Sequence, residues 1–429
     1  MDAAKFVIVG GGMVAGYAAK QMVELGLKPG ELAILSADNS VPYERPPLSK
    51  GFLAGKDTEE AIRINAEDFY RNHGIELKLG CEVSSVDCNR KRLNLKSGGE
   101  FGFEKLIIAT GAHPRTLEVP GAKLQQVFYL RSMEDSKSIR RAAERAKRAV
   151  AIGGGFIGME VAAVLAQRNI EVTMVLNQDR IWKRLFTPEM SEFFEDYYSS
   201  RGVQIVKNAT VTELRGDGSV QSVVLASGQA IPCDLVVAGV GVTPATEMLT
   251  NSGLEVADGV MVNEYLEASL PDVYAAGDVA NYWDVLFAKH RRVEHWDNAV
   301  SQGQHCARTL MGERAPFRHV PYFFSDVFDL SYEYWGDSSD ADEVVHRGDI
   351  SSKSFSVWWL QQKRVVAAFT MNRPNDERDI APNWIESKQI VAGARLRDAS
   401  QPSPLPPTIK REAPEWDRFG ACWRGTPNS

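Results

Sequence analysis

Two glycine-rich segments carry the clearest chemical signal in the chain, because each follows a short run of β-branched residues and opens an alanine-rich stretch. The first is V-I-V-G-G-G-M-V-A-G (7–16), and the second is V-A-I-G-G-G-F-I-G-M-E (150–160). The residues at dinucleotide-binding spacing are Gly10, Gly12 and Ala15 in the first segment and Gly153, Gly155 and Gly158 in the second. Such a strand–turn–helix places a pyrophosphate on the helix N-terminus. Two of them predict a protein that holds two dinucleotides, the alternative being a pair of structural turns without ligand.

A third segment, V-Y-A-A-G-D-V-A (273–280), indicates which dinucleotide the first turn holds. An apolar strand runs into Gly277 and Asp278, and the pattern predicts a helix directly after them. An aspartate at this position can accept hydrogen bonds from the ribityl hydroxyls of a flavin while the helix end faces a phosphate. The alternative is that Asp278 only caps a helix. Beside two dinucleotide turns, the flavin interpretation is favoured.

The segment P-Y-E-R-P-P-L-S-K (42–50) presents Arg45 and Lys50 on a loop stiffened by prolines. In flavin disulfide reductases, a redox-active cysteine pair lies beside the flavin in this region, whereas this segment has no cysteine. We therefore expect reducing equivalents to leave the flavin directly, without a dithiol. The alternative is that Arg45 and Lys50 are ordinary solvated charges.

The elements that must position these residues alternate between strand and helix. The pattern predicts strands over 5–10, 31–36 and 103–112, with a helix over 13–26. A second unit has a basic helix over 137–148, a helix over 157–168 and strands over 171–176 and 234–242. Three further cofactor-binding candidates, at strand ends, are Thr110, Gly111 and Gly241. This alternation predicts an α/β protein with two Rossmann-like, doubly wound dinucleotide-binding domains.

The order of these segments predicts a discontinuous arrangement of domains. Residues 1–115 and 246–320 form an FAD-binding domain, and residues 116–245 form an NAD(P)H-binding domain inserted into it. Alternating runs such as S-F-S-V-W-W-L predict an antiparallel sheet in a C-terminal α+β interface domain over 321–395. The proline-rich residues 396–429 are expected to form an extended tail.

Composition excludes several other classes of protein. The net charge of −7 argues against bulk nucleic-acid binding, and no apolar run is long enough for a membrane span. The first strand begins too early for a signal peptide. The five cysteines form no C-x-x-C pair, and the seven histidines show no metal-ligand spacing. These patterns predict a cytoplasmic protein without a disulfide framework or metal site, and they leave both a monomer and a homodimer open.

The chain resembles the glutathione-reductase-like flavoproteins that lack a redox disulfide, a group with oxygenase-type ferredoxin reductases, monodehydroascorbate reductases and apoptosis-inducing factor. Similarity to monodehydroascorbate reductase is carried by G-Y-A-A-K (16–20), K-P-G-E-L-A-I-L-S (28–36), P-Y-E-R-P-P-L-S-K-G-F-L (42–53), R-L-F-T-P-E-M (184–190) and P-Y-F-F-S-D-V-F-D-L (321–330). The stretch R-V-E-H-W-D-N-A-V-S-Q-G (292–303) is more similar to the ferredoxin reductases. Two departures are Val300, where the plant monodehydroascorbate reductases carry arginine, and Phe324, where ferredoxin reductases often carry tryptophan.

The resemblance implies roles for particular residues. Those implied to bind FAD are Gly10, Gly11, Gly12, Ala15, Asp38, Arg45, Lys50, Val83, Arg131, Asp278 and Trp296. Gly153, Gly155 and Gly158 are implied to hold the nicotinamide dinucleotide. Lys50, Glu160 and Trp296 are the catalytic candidates, and Glu160 is expected to pair with Lys50 beside the flavin. The alternative for Glu160 is an ordinary helix-surface residue.

The resemblance also implies the reaction, in which NAD(P)H reduces FAD and electrons then leave singly to a ferredoxin-type carrier or the monodehydroascorbate radical. For the nicotinamide, Leu176 stands at the usual acidic position, Gln178 is a candidate for the ribose, and Arg180 or Lys183 for a 2′-phosphate. NADH is favoured on resemblance. A basic helix around Arg140 is a candidate docking surface for an acidic ferredoxin. The alternative function is an NADH-sensing flavoprotein like apoptosis-inducing factor, which acts by binding partners.

Overall fold

The structure is a computed structural model in which residues 2–397 are described. Its first part contains β1 (Asp2–Val9), α1 (Met13–Glu24), β2 (Leu32–Leu35), α2 (Gly51–Ala54), α3 (Glu67–Asn72), β3 (Glu76–Lys78), β4 (Val83–Asp87), β5 (Arg92–Leu95), β6 (Glu100–Ile108) and β7 (Ala112–Pro114). Strands β3, β2, β1 and β6 are parallel neighbours, and β5 and β4 continue the sheet in antiparallel fashion. The four residues of β2 are all buried, as expected for a parallel strand with both faces covered.

The second part repeats this plan. It contains β8 (Val127–Phe128), α4 (Met133–Ala143), β9 (Arg148–Ile152), α5 (Phe156–Gln167), β10 (Glu171–Val175), α6 (Pro188–Ser200), β11 (Val203–Val206), β12 (Val211–Asp217), β13 (Ser219–Leu225), β14 (Ala230–Pro232), β15 (Leu235–Ala238) and β16 (Val242–Pro244). Strands β11, β10, β9, β15 and β8 form a parallel sheet, and β12, β13 and β14 form a small antiparallel one. Strand β16 pairs with β7, so this unit is joined to the first by a two-stranded ribbon.

The third part returns to the first sheet. It contains β17 (Val256–Ala257), β18 (Gly259–Val262), β19 (Val273–Ala275), β20 (Ala280–Asp284), β21 (Lys289–Arg291) and α7 (Trp296–Leu310). Strand β19 pairs in parallel with β6, and α7 packs on α1. This pairing supports a discontinuous first domain, whose limits of 1–115 and 246–320 we retain as a proposal, together with 116–245 and 321–395 for the other two.

The fourth part is an antiparallel sheet covered by helices. It contains β22 (Tyr322–Val327), β23 (Leu330–Gly336), β24 (Glu343–Asp349), β25 (Ser354–Gln361), β26 (Arg364–Met371), α8 (Asn375–Glu386) and α9 (Gly393–Arg397). The strands lie in the order β22, β23, β26, β25, β24. Residues 396 and 397, which the sequence assigned to the tail, belong to α9, where Leu396 is buried. The rest of the predicted proline-rich tail lies outside the described residues.

The predicted fold class is therefore confirmed, with two parallel dinucleotide-binding units and a C-terminal antiparallel domain. Two element predictions were wrong. The basic helix is Met133–Ala143 rather than 137–148, because Ser132 and Asp135 form a capping box that starts it earlier. Asp278 lies in a 3-10 turn (Gly277–Val279) that leads directly into β20, and the next α-helix begins only at Trp296.

Candidate functional site

A cavity of about 830 Å³ lies where these parts of the chain meet. The residues with predicted roles that line it are Gly10, Gly11, Gly12, Asp38, Arg45, Lys50, Val83, Thr110, Gly111, Arg131, Glu160, Asp278 and Trp296. They come from the ends of β1, β2 and β6, from the 42–50 loop, from the start of β4, from the residues just before α4, from the turn after β19, and from α5 and α7. The cavity therefore brings together residues that are more than 200 positions apart in the sequence.

The first glycine turn is a cradle that side chains would fill. Gly10 has a φ of +118°, and a Cβ there would lie 2.2 Å from the carbonyl oxygen of Ala109. A Cβ on Gly11 would lie 2.1 Å from the Ser36 hydroxyl. Gly12 caps α1 without a side-chain hydrogen bond, so the first amides of the helix are left for a ligand. Ala15 is fully buried on α1 and does not line the cavity.

Cations and carboxylates alternate along the cavity. The Arg131 Nη2 atom donates to Asp278 Oδ2 at 2.9 Å, and Arg45 Nη1 donates to the carbonyl oxygen of Arg131 at 2.5 Å. Burial and the neighbouring Arg131 lower the pKa of Arg45. Asp278 thus lies beside Arg131, a pair that the sequence alone did not join.

The Asp38 carboxylate lies at the end of β2, where a ribose is bound in dinucleotide folds. Its Oδ1 atom accepts the backbone N–H of Ser40 at 3.0 Å, and its Oδ2 atom accepts the Tyr43 hydroxyl at 3.0 Å. Burial raises the pKa of Tyr43, so this hydroxyl stays protonated and donates. Val83 also lines the cavity.

Glu160 and Lys50 form the most buried ion pair of the cavity. The Lys50 Nζ atom lies 2.7 Å from Glu160 Oε1, and the two side chains are 11% and 6% exposed. The hydroxyl of Ser325, on β22, donates to the same carboxylate oxygen at 2.5 Å, and Ser49 donates to Oε2. Because Glu160 is 5% exposed, it is not the helix-surface residue of the alternative interpretation.

The aromatic edge of the cavity is formed by Trp296 and Phe324. Their ring centroids are 6.1 Å apart in an edge-to-face arrangement, and Lys50 Nζ lies 5.4 Å from the Phe324 centroid. The Trp296 indole donates to the buried carboxylate of Glu44 at 2.5 Å. Sequence reasoning missed Glu44 and the two serines on Glu160, because hydrogen bonds across elements leave no pattern in the sequence.

The second glycine turn has the same geometry as the first. Gly153 has a φ of +115°, and a Cβ on Gly158 would lie 1.9 Å from the Gly153 carbonyl oxygen. Gly155 caps α5 without a side-chain hydrogen bond. From the first turn of α5, Phe156 reaches the cavity. The two dinucleotide sites therefore meet at this helix.

Other residues assigned to the nicotinamide dinucleotide lie outside the cavity. Leu176 is buried behind Gly154, so it offers no polar group to a ribose. Gln178 follows β10 and is half-buried, while Gly241 follows β15 with a φ of +106°. Both stand at the carboxyl edge of the second parallel sheet, where such a ligand binds.

The residues present fit an FAD and a nicotinamide dinucleotide. Two helices begin at the two glycine turns with their first amides uncapped, and the cavity walls carry arginines, lysines and carboxylates suited to phosphate, ribose and flavin. The described cysteines Cys81, Cys88, Cys233 and Cys306 are all free. Within residues 2–397, no cluster of three His, Cys, Asp or Glu side chains is arranged for a metal ion, and no helix is long and apolar enough to cross a membrane.

Fold and site together define an oxidoreductase that binds FAD and NAD(P)H. Consistent with this, residues 4–303 match the family model described as pyridine nucleotide-disulphide oxidoreductase, and residues 322–403 match one described as reductase C-terminal. The chain belongs to the pyridine nucleotide-disulphide oxidoreductase family. It is an FAD-dependent NAD(P)H oxidoreductase, as the sequence predicted.

Individual relatives fall in the two branches that the sequence resembles. The chain is 38% identical to monodehydroascorbate reductase 4, peroxisomal, of Arabidopsis thaliana, over 90% of this chain and 83% of that protein. It is 36% identical to monodehydroascorbate reductase of Pisum sativum, over 90% of this chain and 95% of that protein.

Among solved structures, the ferredoxin reductase for the CYP199A2 system from Rhodopseudomonas palustris superposes with a TM-score of 0.87 and 34% identity, over 93% of this chain and 98% of that one. The putidaredoxin reductase–putidaredoxin covalent complex gives a TM-score of 0.89 and 32% identity, over 93% of this chain and 96% of the matched chain. These relatives confirm the predicted resemblance. They do not favour the alternative of a sensor like apoptosis-inducing factor.

Proposed function

We propose that this protein oxidises NADH and passes electrons one at a time to a ferredoxin-type iron–sulfur carrier. When bound, FAD supplies the chemistry that converts a two-electron donor into one-electron steps. The 42–50 segment has no dithiol, so electrons leave the flavin directly, which suits a one-electron acceptor. A solved relative is itself a complex of a reductase with putidaredoxin, which supports a protein acceptor.

The cavity residues singled out above each have a proposed part in this reaction. Gly10, Gly11, Gly12 and the α1 N-terminus bind a pyrophosphate, and Asp38 binds the adenosine ribose. Arg45, Arg131 and Asp278 bind the remainder of the FAD, next to Thr110 and Gly111 on the β6 side. The positive charge of Lys50, held in place by Glu160, stabilises negative charge on the reduced cofactor.

The observation that carries the choice of acceptor is the charge at the aromatic edge. The lysines and arginines among the described lining residues are Arg45, Lys50, Lys96 and Arg131. Lys50 is the one beside Phe324, and it is already paired with the buried Glu160. A small anionic radical needs a cation that is free to receive it, whereas an aromatic edge suits contact with a protein.

The test is stopped-flow spectroscopy of the flavin with NADH and then with separate acceptors. We expect rapid reoxidation by a ferredoxin-type protein, detected by coupled reduction of cytochrome c. Ferricyanide serves as the control that the reduced flavin is competent. Reoxidation by ferricyanide but not by any ferredoxin-type protein would reject the proposed acceptor.

The monodehydroascorbate radical is a second candidate acceptor, favoured by the 38% identity to a monodehydroascorbate reductase. Against this candidate, the chain has Val300 where the plant monodehydroascorbate reductases carry arginine. The Val300 side chain is partly buried against the hydrophobic core of the first parallel sheet. The decisive assay follows NADH oxidation while ascorbate oxidase generates the radical. Turnover faster there than with a ferredoxin-type protein would make the radical the physiological acceptor.

The choice of NADH over NADPH follows from the charges after β10. Arg180 and Lys183 both contact the Asp179 carboxylate, at 3.5 Å and 3.0 Å, which reduces what they offer to a 2′-phosphate. We expect a larger kcat/KM for NADH than for NADPH, measured with ferricyanide as acceptor. A clearly larger value for NADPH would reverse this assignment.

We further propose a cytoplasmic location.

The basic helix is a weaker candidate for carrier docking than its sequence suggests. Lys137 is paired with Glu59 and Glu134, both at 2.7 Å. The Arg140 guanidinium lies over the Phe52 ring and donates to its backbone carbonyl. These charges are partly committed to the fold, so the aromatic edge is the better docking site.

A further inference from the structure

Glu44 is a buried carboxylate that the family's cofactors do not explain. It lies on the 42–50 loop, is 3% exposed, and its backbone N–H donates to the carbonyl oxygen of Ile62 at 2.7 Å. Its Oε1 atom accepts the hydroxyl of Tyr17 at 2.5 Å, and its Oε2 atom accepts the Trp296 indole N–H at 2.5 Å. One side chain therefore links α1, the loop and α7.

A carboxylate in this position is costly unless its oxygens are satisfied. Its two described hydrogen-bond donors are neutral, and the neighbouring Arg45 points away, toward the Arg131 carbonyl. Burial raises the pKa of Glu44, while the hydrogen bonds from Tyr17 and Trp296 oppose that rise. The two hydrogen bonds, each 2.5 Å long, satisfy the two oxygens of this side chain, so the carboxyl group and both donors hold one another in place.

Trp296 is the partner whose position matters to the site. It is the first residue of α7, it lines the cavity, and it forms the aromatic edge with Phe324. An indole N–H can only donate, and Glu44 is the acceptor that it finds. Packing alone allows an indole at a helix start to adopt other rotamers, whereas a hydrogen bond to a fixed carboxylate selects one.

We propose that Glu44 is a positioning residue, which fixes the Trp296 indole so that the electron-accepting carrier meets the cofactor at a preformed aromatic surface. This inference rests on the proposed function. Tyr17 orients the carboxylate from the opposite side, and the hydride-accepting step depends on the separate Lys50–Glu160 pair. Loss of Glu44 therefore impairs delivery of electrons to the carrier far more than reduction by NADH.

The first experiment reports on the indole directly. FAD-loaded protein is labelled with 5-fluorotryptophan, and the Trp296→Phe variant assigns the Trp296 signal in the fluorine NMR spectrum. We expect Glu44→Gln to shift or broaden that signal and Tyr17→Phe to move it less. The signal of Trp283, which lies on β20 at 36% exposure, should stay unchanged.

The second experiment separates the two half-reactions by stopped-flow spectroscopy. We expect Glu44→Gln to keep flavin reduction by NADH within about twofold and to slow reoxidation by a ferredoxin-type protein about tenfold, because the glutamine amide nitrogen cannot accept a hydrogen bond and one of the two donors therefore loses its acceptor. Trp296→Phe, with Glu44 intact, should slow reoxidation by the carrier to a similar extent. Glu60→Gln, an exposed glutamate after the same loop, is the matched control.

Three results would overturn the inference. These are an unchanged Trp296 signal in Glu44→Gln, normal reoxidation by the carrier in that variant, or equal loss of both half-reactions, which would make Glu44 merely structural. Failure of the proposed function looks different. In that case the wild type does not reduce any ferredoxin-type protein, while the fluorine spectra still show whether Glu44 holds Trp296.

Discussion

At the residue scale, Glu160 shows how the site depends on groups from separate parts of the chain. Its carboxylate accepts hydrogen bonds from Lys50 and Ser49 of the 42–50 loop and from Ser325 of the C-terminal sheet. A buried carboxylate with one cation and two hydroxyl donors has its lone pairs well satisfied. The C-terminal domain thus contributes directly to the geometry of the Lys50–Glu160 pair.

Replacing Ser325 by alanine should loosen this pair without removing it. Losing one hydrogen bond to a charged group costs about 1.5 kcal/mol, so we expect flavin reduction by NADH to slow roughly tenfold in stopped-flow traces. Ser331→Ala, on an exposed site of the adjacent strand β23, should leave the rate unchanged. A Ser325→Ala rate within twofold of the wild type would show that the hydroxyl is dispensable.

At the scale of elements, the second glycine turn is constrained both by its backbone and by its neighbours. Gly153→Ala would strain a φ of +115° and place a Cβ 2.2 Å from the Gly239 carbonyl oxygen. We expect a lower thermal midpoint and at least a tenfold rise in the KM for NADH. Gly202→Ala is the control, because its φ of +83° is also left-handed but its Cβ would meet open space. It should cost only about 1 kcal/mol and leave the KM unchanged.

Helix α7 carries a buried histidine that predicts a pH effect on stability. Burial, and then the nearby Arg308, lower the pKa of His305 to about 4. Because the unfolded chain binds this proton near pH 6.5 and the folded one only near pH 4, His305 makes the fold lose stability as the pH falls through that window. We expect His305→Gln to reduce this loss by roughly 2 kcal/mol.

The measurement is the thermal midpoint of the FAD-loaded protein between pH 7 and pH 4.5. His290→Gln is the control, because His290 is exposed on β21. A wild-type curve that runs parallel to the His305→Gln curve over this range would contradict the assignment. His295, whose pKa burial and Arg291 also lower to about 4, accounts for part of the remaining slope.

At the scale of the whole molecule, an ion network joins the third part of the chain to the C-terminal domain. Arg291 lies 3.4 Å from Asp284, which is buried on β20, and 3.3 Å from Asp337, which follows β23. Burial raises the pKa of Asp284, and the Arg291 charge opposes that rise. The arginine therefore stabilises a carboxylate that would otherwise be buried without a cation.

Arg291→Met should destabilise the protein by about 3 kcal/mol, because removing one partner leaves the other charge buried. We expect the thermal midpoint to fall by several degrees, and Asp284→Asn in the same chain to recover part of the loss. Arg314→Met is the control, since the Arg314 side chain is 60% exposed where it pairs with Glu267. Equal midpoints for the Arg291 and Arg314 variants would show that the buried network is not stabilising.

Much of the fold was predictable from local pattern. The two glycine segments, the strands that precede them and the alternating C-terminal runs all correspond to observed elements, because periodicity and turn residues act over short stretches. The prediction of a helix after Asp278 was wrong for the same reason. Its strand–turn signal is local, but the chain inserts β20 and β21 before α7, and α7 packs on that turn through Gln302, which accepts the Gly277 N–H at 2.7 Å.

The sequence by itself determined the class of ligand, since Gly10 and Gly153 are required by turns that no other residue fits. It also placed Lys50, Glu160, Asp278 and Trp296 among the candidates by resemblance. Only the tertiary structure decided their partners: Arg131 with Asp278, Ser325 with Glu160, and Glu44 with Trp296. A glycine turn is recognisable from a few consecutive residues, whereas a buried polar group must find its partner wherever the packing of distant elements brings one within hydrogen-bond distance.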